Sequence, residues 1–330
     1  MNLKEEILKL KEKLDVTIVA HFYQRDEVFE LADITGDSLE LAKRAMLTDS
    51  KNILFCGVGF MGESVKVLSP NKRVLMPKIA CCAMAKMIDA EYYDESIKIL
   101  NNAGIQSDNI LPITYINSSA SVKAKVGQMG GMVCTSSNAY KIIEKGLKSG
   151  KKILFVPDRC LGQNFAKQMN LVSAVIGDGT SLSDADIICY NGFCSVHQLF
   201  SVDDIEFYRN KYEDILIAVH PECDPSICDE ADFVGSTSQL IKYITDLPIE
   251  QKVAVGTEYN MVNRLRQKNT YILSSTKPEC PTMNETTLQD VYDSLKMLEQ
   301  EQSQPYLNEI LVDEDVAKWA NVALNRMLEL

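Results

Sequence analysis

Histidines, cysteines and a recurring set of hydroxyls carry the chemistry legible in this chain of 330 residues. His21, His197 and His220 sit in H-F-Y-Q, C-S-V-H and H-P-E-C, each after or within an apolar, β-branched run, so each imidazole is expected near a strand end. In open α/β folds ligands bind at the carboxyl ends of strands. A chain that places its only three histidines there is expected to build one polar centre, as an enzyme does.

The ten cysteines divide by context. Cys56, Cys134 and Cys189 lie in I-L-F-C, M-V-C and I-I-C-Y, where a free thiol serves as a small apolar core residue. Cys160 and Cys228 occupy polar or turn-like stretches and receive no role. Met1 to Leu14 alternates Lys and Glu among Leu and Ile with helical spacing, which reads as an amphipathic helix and not as the apolar core of a signal peptide. A cytoplasmic protein with reduced thiols is the expectation, and some of those thiols are candidates for metal.

Composition narrows the class further. A hydrophobic content of 46% supports well-filled cores in two or three domains. The formal charge of −12 lacks the basic face that a phosphate backbone requires, so nucleic acid is excluded as a partner. No apolar run is long enough to span a membrane.

The elements that must position these side chains repeat three times. Apolar strands end in polar signatures at V-T-I-V-A-H-F-Y, I-L-P-I-T-Y-I-N and I-L-I-A-V-H-P-E. Helical stretches lead to second strands, I-L-F-C-G-V, G-M-V-C-T-S-S-N and A-D-F-V-G-S-T-S, and then to third strands, R-V-L-M-P, K-I-L-F-V-P-D and K-V-A-V-G-T-E. Such alternation calls for parallel sheets covered by helices on both faces. Each unit then reaches a cysteine, Cys82, Cys194 or Cys280, and a pseudo-threefold arrangement around a shared centre is expected. One large doubly wound sheet is the alternative. Two further helical patterns, D-V-Y-D-S-L-K-M-L and D-V-A-K-W-A-N-V-A-L-N-R-M-L, follow Thr286 around an E-Q-E-Q-S-Q-P linker and are expected to pack back on the body.

Hydroxyls and amides crowd the strand ends and helix starts: Ser38, Asn117 to Ser119, Ser136 to Asn138, Ser236 to Ser238 and Thr257. Any one of them is explained as a helix cap. Together they are suited to a small anion held by helix N-termini without many lysines. The G-V-G-F-M-G run from Gly57 has the form of a dinucleotide fingerprint, but no acid follows about 20 residues on to hold a ribose.

Ten signatures in order over about residues 16 to 295 resemble the type A quinolinate synthases. They are H-F-Y-Q from His21, A-D-I-T-G-D-S-L-E-L-A from Ala32, C-A-M-A-K-M from Cys82, Y-I-N-S from Tyr115, T-S-S-N from Thr135, Pro157 with Asp158, C-S-V-H from Cys194, H-P-E-C from His220, G-S-T from Gly235 and T-E-Y-N-M-V-N-R-L from Thr257. The resemblance implies three αβα domains, each with a short parallel sheet, around a central site: residues 1–88, 89–194 and 195–285, with C-terminal helices in 286–330. It implies a condensing, dehydrating transferase of NAD biosynthesis that makes quinolinate from iminoaspartate and dihydroxyacetone phosphate, releasing phosphate and two waters. One [4Fe-4S] cluster per chain would be held by Cys82, Cys194 and Cys280, and chemistry alone does not choose between Cys81 and Cys82. Three thiolates leave one iron without a protein ligand, open as a Lewis acid.

By the same resemblance His21, Ser38, Tyr115, Asn117, Ser136, His220, Glu222 and Thr237 bind substrate. Tyr23, His220 and Glu222 are assigned proton transfer. Cys223 is not placed on iron, and His197 is read as orienting its loop. The unstable imine implies an aspartate-oxidising enzyme as a functional partner. Ser238 stands where the family commonly has glycine, which would narrow the pocket or alter how that helix start meets an anion. Two other readings stay open from the residues: a zinc site of Cys194, His197, His220 and Cys223 in a hydrolase or lyase, and a non-catalytic anion binder.

Overall fold

Short strands of Val, Ile, Leu and Phe, each followed by an amphipathic helix, leave the chain no local partner for their backbone groups, so they pair in parallel across helical crossovers. The computed structural model describes residues 2–265, 269–300 and 305–329. β1 (Val16–His21), β2 (Ile34–Gly36), β3 (Asn52–Cys56) and β4 (Arg73–Leu75) form a sheet in the order β2-β1-β3-β4. β5 (Ile110–Tyr115), β6 (Met132–Cys134), β7 (Lys152–Val156), β8 (Ser173–Val175) and β9 (Ile187–Cys189) form a second, ordered β6-β5-β7-β9-β8. β10 (Leu216–Val219), β11 (Phe233–Val234), β12 (Val253–Gly256) and β13 (Thr270–Ile272) form a third, ordered β11-β10-β12-β13. Every strand pair in the three sheets is parallel. The protein is therefore α/β with three separate short sheets, and the single large sheet is excluded.

One feature of the expected repeat needs correction. In each sheet the opening strand lies between its next two strands, and in the first sheet the second strand is β2, not the N-I-L-F-C segment. N-I-L-F-C and R-V-L-M-P are thus one element later than their supposed counterparts. With three residues, one of them glycine and an aspartate on either side, β2 has too little apolar pattern to be read alone. Its true counterpart is the stretch before Thr237: A-D-I-T-G-D-S at Ala32 matches A-D-F-V-G-S-T at Ala231. Both aspartates hold the neighbouring strand, Asp33 Oδ2 accepting Ile18 N–H at 2.8 Å and Asp232 Oδ2 accepting Ile217 N–H at 2.7 Å.

Alternate residues of the strands fill different cores, as period-two geometry demands. Ile18, Ala20, Leu54 and Leu75 pack with Ile7 and Leu10 of the helix Leu3–Lys13 and with Val291 and Leu295 of the helix Leu288–Glu299. Val19, Ile53 and Phe55, on the other face, join a core continuous with Ile113, Val133, Ile153 and Phe155 of the second sheet. The third sheet has its own cores on either face, around Ile217 and Val219 and around Ala218 and Val255. Cys56, Cys134 and Cys189 are fully buried among these strands, the apolar role their context suggested. Gly57 and Gly62 serve packing: a Cβ on Gly57 would meet the Phe55 ring at 2.6 Å, and one on Gly62 the Met76 sulfur at 2.9 Å.

Both C-terminal helices fold back. Residues 301–304 of the linker between them lie outside the described residues. The helix Glu314–Leu328 crosses the helix Ala120–Gln128 and sends Ala320, Ala323 and Leu324 into the core shared by the first two sheets. No described helix is long and apolar enough to cross a membrane. The crossing depends on Gly127, whose added Cβ would lie 2.1 Å from the Trp319 carbonyl oxygen. Gly127→Ala is expected to destabilise by about 1–3 kcal/mol, read as a lower denaturant midpoint at unchanged m-value.

Candidate active site

Parallel topology puts the carboxyl ends of the strands, and the turns that follow them, against one central cavity. The first sheet contributes His21, Tyr23 and Ser38, the second Tyr115, Asn117 and Ser136, and the third His220, Glu222 and Thr237. Cys82, Cys194 and Cys280 reach the same cavity from loops after β4, β9 and β13. All twelve residues singled out in the sequence therefore line one space. Cys81 is exposed and does not line it, which separates two neighbours that chemistry could not.

The turns after β1 and β10 are built alike. His21 Nδ1 accepts the N–H of Tyr23 at 3.1 Å, and His220 Nδ1 accepts that of Glu222 at 3.2 Å. With Nδ1 an acceptor, the single proton of each neutral ring is assigned to Nε2, where it can be donated to an occupant of the cavity. Burial lowers His21 to about 4, against the opposing pull of Asp37, and His220 to about 3, against that of Glu222. Both rings are neutral donors near pH 7.

Glu222 is the buried charge between them. Its Oε1 accepts the Tyr115 O–H at 2.6 Å, and its Oε2 lies 3.2 Å from His197 Nδ1, whose N–H is not aligned on it. Burial works to raise this carboxyl, but the proximity of His197, then of His220, and the Tyr115 hydrogen bond outweigh it and hold Glu222 at about 2. For Tyr115 and Tyr23, burial first and the Glu222 charge second push both phenols well above their usual range. Tyr23 Oη sits 2.9 Å from Thr237 Oγ1 and 3.2 Å from Thr257 Oγ1, and Thr257 Oγ1 sits 3.0 Å from His197 Nε2. The cavity thus joins an ionised carboxylate to two protonated phenols through polar side chains from all three sheets.

At the helix starts, Asp37 links the sheets. Its Oδ1 caps the helix Ser38–Leu47 by accepting the Leu39 and Glu40 N–H groups, while its Oδ2 takes the Ser238 hydroxyl at 2.6 Å and lies 3.2 Å from the Ser137 hydroxyl. Ser238, the departure from the usual glycine, is thus bonded across to the first sheet.

Several expectations change. His197 does not follow a strand end directly; it opens a 3-10 turn, His197–Leu199, beyond the Cys194 loop, and its ring stacks on His220 at 4.7 Å while lining the cavity. Cys223 is buried outside the cavity with its thiol 3.5 Å from the Gly256 carbonyl, so it cannot complete a zinc set with Cys194. Cys160 and Cys228 lie in the helices Arg159–Gln168 and Pro225–Glu230, not in turns, and Cys160 is fully buried.

Sequence reasoning missed Glu258, Thr257 as a bridging hydroxyl, and Lys123. Glu258 is fully buried at the cavity, where burial raises its carboxyl to about 8 against bonds from the Cys280, Met261 and Asn260 N–H groups. Lys123 is buried beneath the Asn117 turn, bonded to the Ser118 carbonyl, and burial lowers its ammonium to about 7 despite Glu63. A helical Lys in S-V-K-A-K-V gives no signal that it faces inward.

A family model described as Quinolinate synthetase A protein matches residues 5–329. The chain belongs to the quinolinate synthase family. The quinolinate synthase of Helicobacter pylori (strain HPAG1) is 55% identical over all of this chain and 98% of its own length. That of Acidobacterium capsulatum is 38% identical over 100% of this chain and 93% of its own, and that of Streptomyces coelicolor 39% identical over 97% and 86%. The enzyme is a quinolinate synthase of NAD biosynthesis. A possible metal-binding group is present: ligand atoms of Cys194, His197 and Glu222 lie within 4.8 Å of one another.

Neutral burial of two histidines fixes how stability responds to acid. In the unfolded chain each takes up a proton near pH 6.5, in the folded one only near 4 and 3, so stability falls as pH drops below 6.5. Glu222, lowered from 4.5 to about 2, adds a further loss below 4.5. Unfolding free energies from urea titrations are expected to decline by about 1.4 kcal/mol per pH unit for each ring between pH 6.5 and 4. His21→Asn and His220→Asn, which keep an acceptor for the turn, should each flatten that decline.

Proposed function

We propose that the cavity condenses iminoaspartate with dihydroxyacetone phosphate to quinolinate, releasing phosphate and two waters, with a [4Fe-4S] cluster held by Cys82, Cys194 and Cys280. The observation that carries this is the meeting of three free thiols, from three distant stretches of chain, in one cavity. Its donor set fits such a group. Burial raises all three thiols, and Cys194 is raised further by Glu222 and by the other two sulfurs. Among the described lining residues there is no lysine or arginine, so the charge that turns these thiols into ligands must come from a cationic centre. When bound with three thiolates, the cluster keeps one iron without a protein ligand and supplies Lewis acidity.

The protein's own groups divide the remaining work. His21 and His220 offer Nε2–H, and Ser38, Asn117, Ser136 and Thr237 offer hydroxyl or amide donors, to the carboxylates of the iminoaspartate. The helix starts at Ser38 and Thr237 add the positive ends of their dipoles, so anions are held without lysine. Glu222, ionised, accepts protons during enolisation and dehydration, while Tyr23 and Tyr115, held as phenols, return them. His197 faces Glu222 and Thr257 and keeps both in place. The units 1–88, 89–194 and 195–285 each contain one of the sheets; the opening strand lies between the next two in all three, and the first and third share their whole order while the second has a fifth strand, which supports a pseudo-threefold relation around the site. Ten free thiols support a reducing, cytoplasmic setting, and an aspartate-oxidising enzyme would supply the imine.

Purification without oxygen is expected to give brown protein with about four iron and four sulfide per chain. Cys82→Ser, Cys194→Ser and Cys280→Ser should each lose that iron, and Cys81→Ser should keep it. Stoichiometric zinc in place of iron, or absence of both metals, would overturn the cluster. Glu222→Gln should retain the iron and lower kcat by about 10²–10⁴-fold; full activity in that variant would remove its assigned role.

A further inference from the structure

Glu258 touches no expected substrate group, yet every oxygen it has is committed. Oε1 accepts the N–H of Cys280 and the side-chain amide of Asn260, each at 3.3 Å, and Oε2 accepts the N–H of Asn260 at 2.8 Å and of Met261 at 3.3 Å. The Asn260 amide also reaches the Tyr23 carbonyl at 3.1 Å, and Thr257, one residue before Glu258, contacts the Tyr23 hydroxyl at 3.2 Å. The turn after β12 therefore grips Tyr23 at both its backbone and its phenol, and grips Cys280 through its amide. The Cys280 loop has no sheet of its own to fix it: β13 ends at Ile272 and the next described element, a 3-10 turn, starts at Met283.

We infer that Glu258 is a positioning residue that locks the Cys280 loop to the Tyr23 turn, so that the third thiol and the phenol keep one fixed spacing across the cavity. This rests on the proposed role of Cys280 as a cluster ligand. Glutamine at this site would set an NH2 against two of the four N–H donors and release part of the loop. Aspartate keeps a carboxyl group with a shorter reach.

Cysteine alkylation tests the inference without metal. Cluster-free wild type, Glu258→Gln and Glu258→Asp are treated with iodoacetamide, and labelling at each thiol is followed by mass spectrometry. Glu258→Gln is expected to label Cys280 about tenfold faster, with Cys82 and Cys194 at wild-type rates, and Glu258→Asp to fall between. In reconstituted protein the same variants should release iron to a chelator about 10–100-fold and less than tenfold faster, respectively. Unchanged labelling of Cys280, or equal acceleration at all three thiols, overturns the inference. If Glu258→Gln does not fold, the Glu258→Asp labelling pattern alone decides by the same criteria. Wild type that holds no iron would instead overturn the cluster, leaving the labelling result to stand on its own.

Discussion

A carboxylate taken out of water must be met by charge or by hydrogen bonds, and no single sheet of this protein can do that for Glu222. Its own turn brings the His220 ring within 3.8 Å, the second sheet supplies the Tyr115 hydrogen bond, and the loop beyond β9 brings His197 Nδ1 to 3.2 Å. Glu222 is buried and ionised only when all of these are assembled around it. Satisfying one side chain thus couples the packing of three sheets to the chemistry at their centre.

That carboxylate sets the protonation of its surroundings. It pushes Tyr23 and Tyr115 further upward than burial alone, keeping two phenol protons in the cavity. His21 and His220 stay neutral because burial outweighs the pull of Asp37 on the first and of Glu222 on the second, so they serve as hydrogen-bond donors and not as cations. The cavity therefore holds one ionised carboxylate, two protonated phenols and two neutral imidazole donors side by side.

The frame that presents these groups is rigid where it has to be. A common core joins the first two sheets, the helix Glu314–Leu328 covers the join, and Asp37 ties the helix starts of all three sheets through Ser137 and Ser238. The third sheet has separate cores on its two faces, one of which packs Phe22 and Tyr23, and Asn164, Lys167 and Arg264 tie it to the other two units.

Much of this was legible in the chain. The strand-ending signatures put His21, Tyr115 and His220 at carboxyl ends, because in a parallel sheet local sequence dictates which residue stands there, and the family resemblance supplied the rest of the lining set. The family resemblance singled out Cys82, Cys194 and Cys280. The strand β2 was not legible, since three residues carry no period and exist as a strand only through pairing with β1. Lys123 and Glu258 were missed for a related reason: charged side chains read as solvated until the surrounding burial is known. The sequence by itself determined the α/β class, the polar turns and the types of group available, all of which follow from short-range pattern. Only the tertiary structure decided that Glu258 and Lys123 are buried, and that Glu222 is ionised while the phenols are not. Burial and electrostatic coupling are sums over neighbours far apart along the chain, so local pattern alone cannot state them.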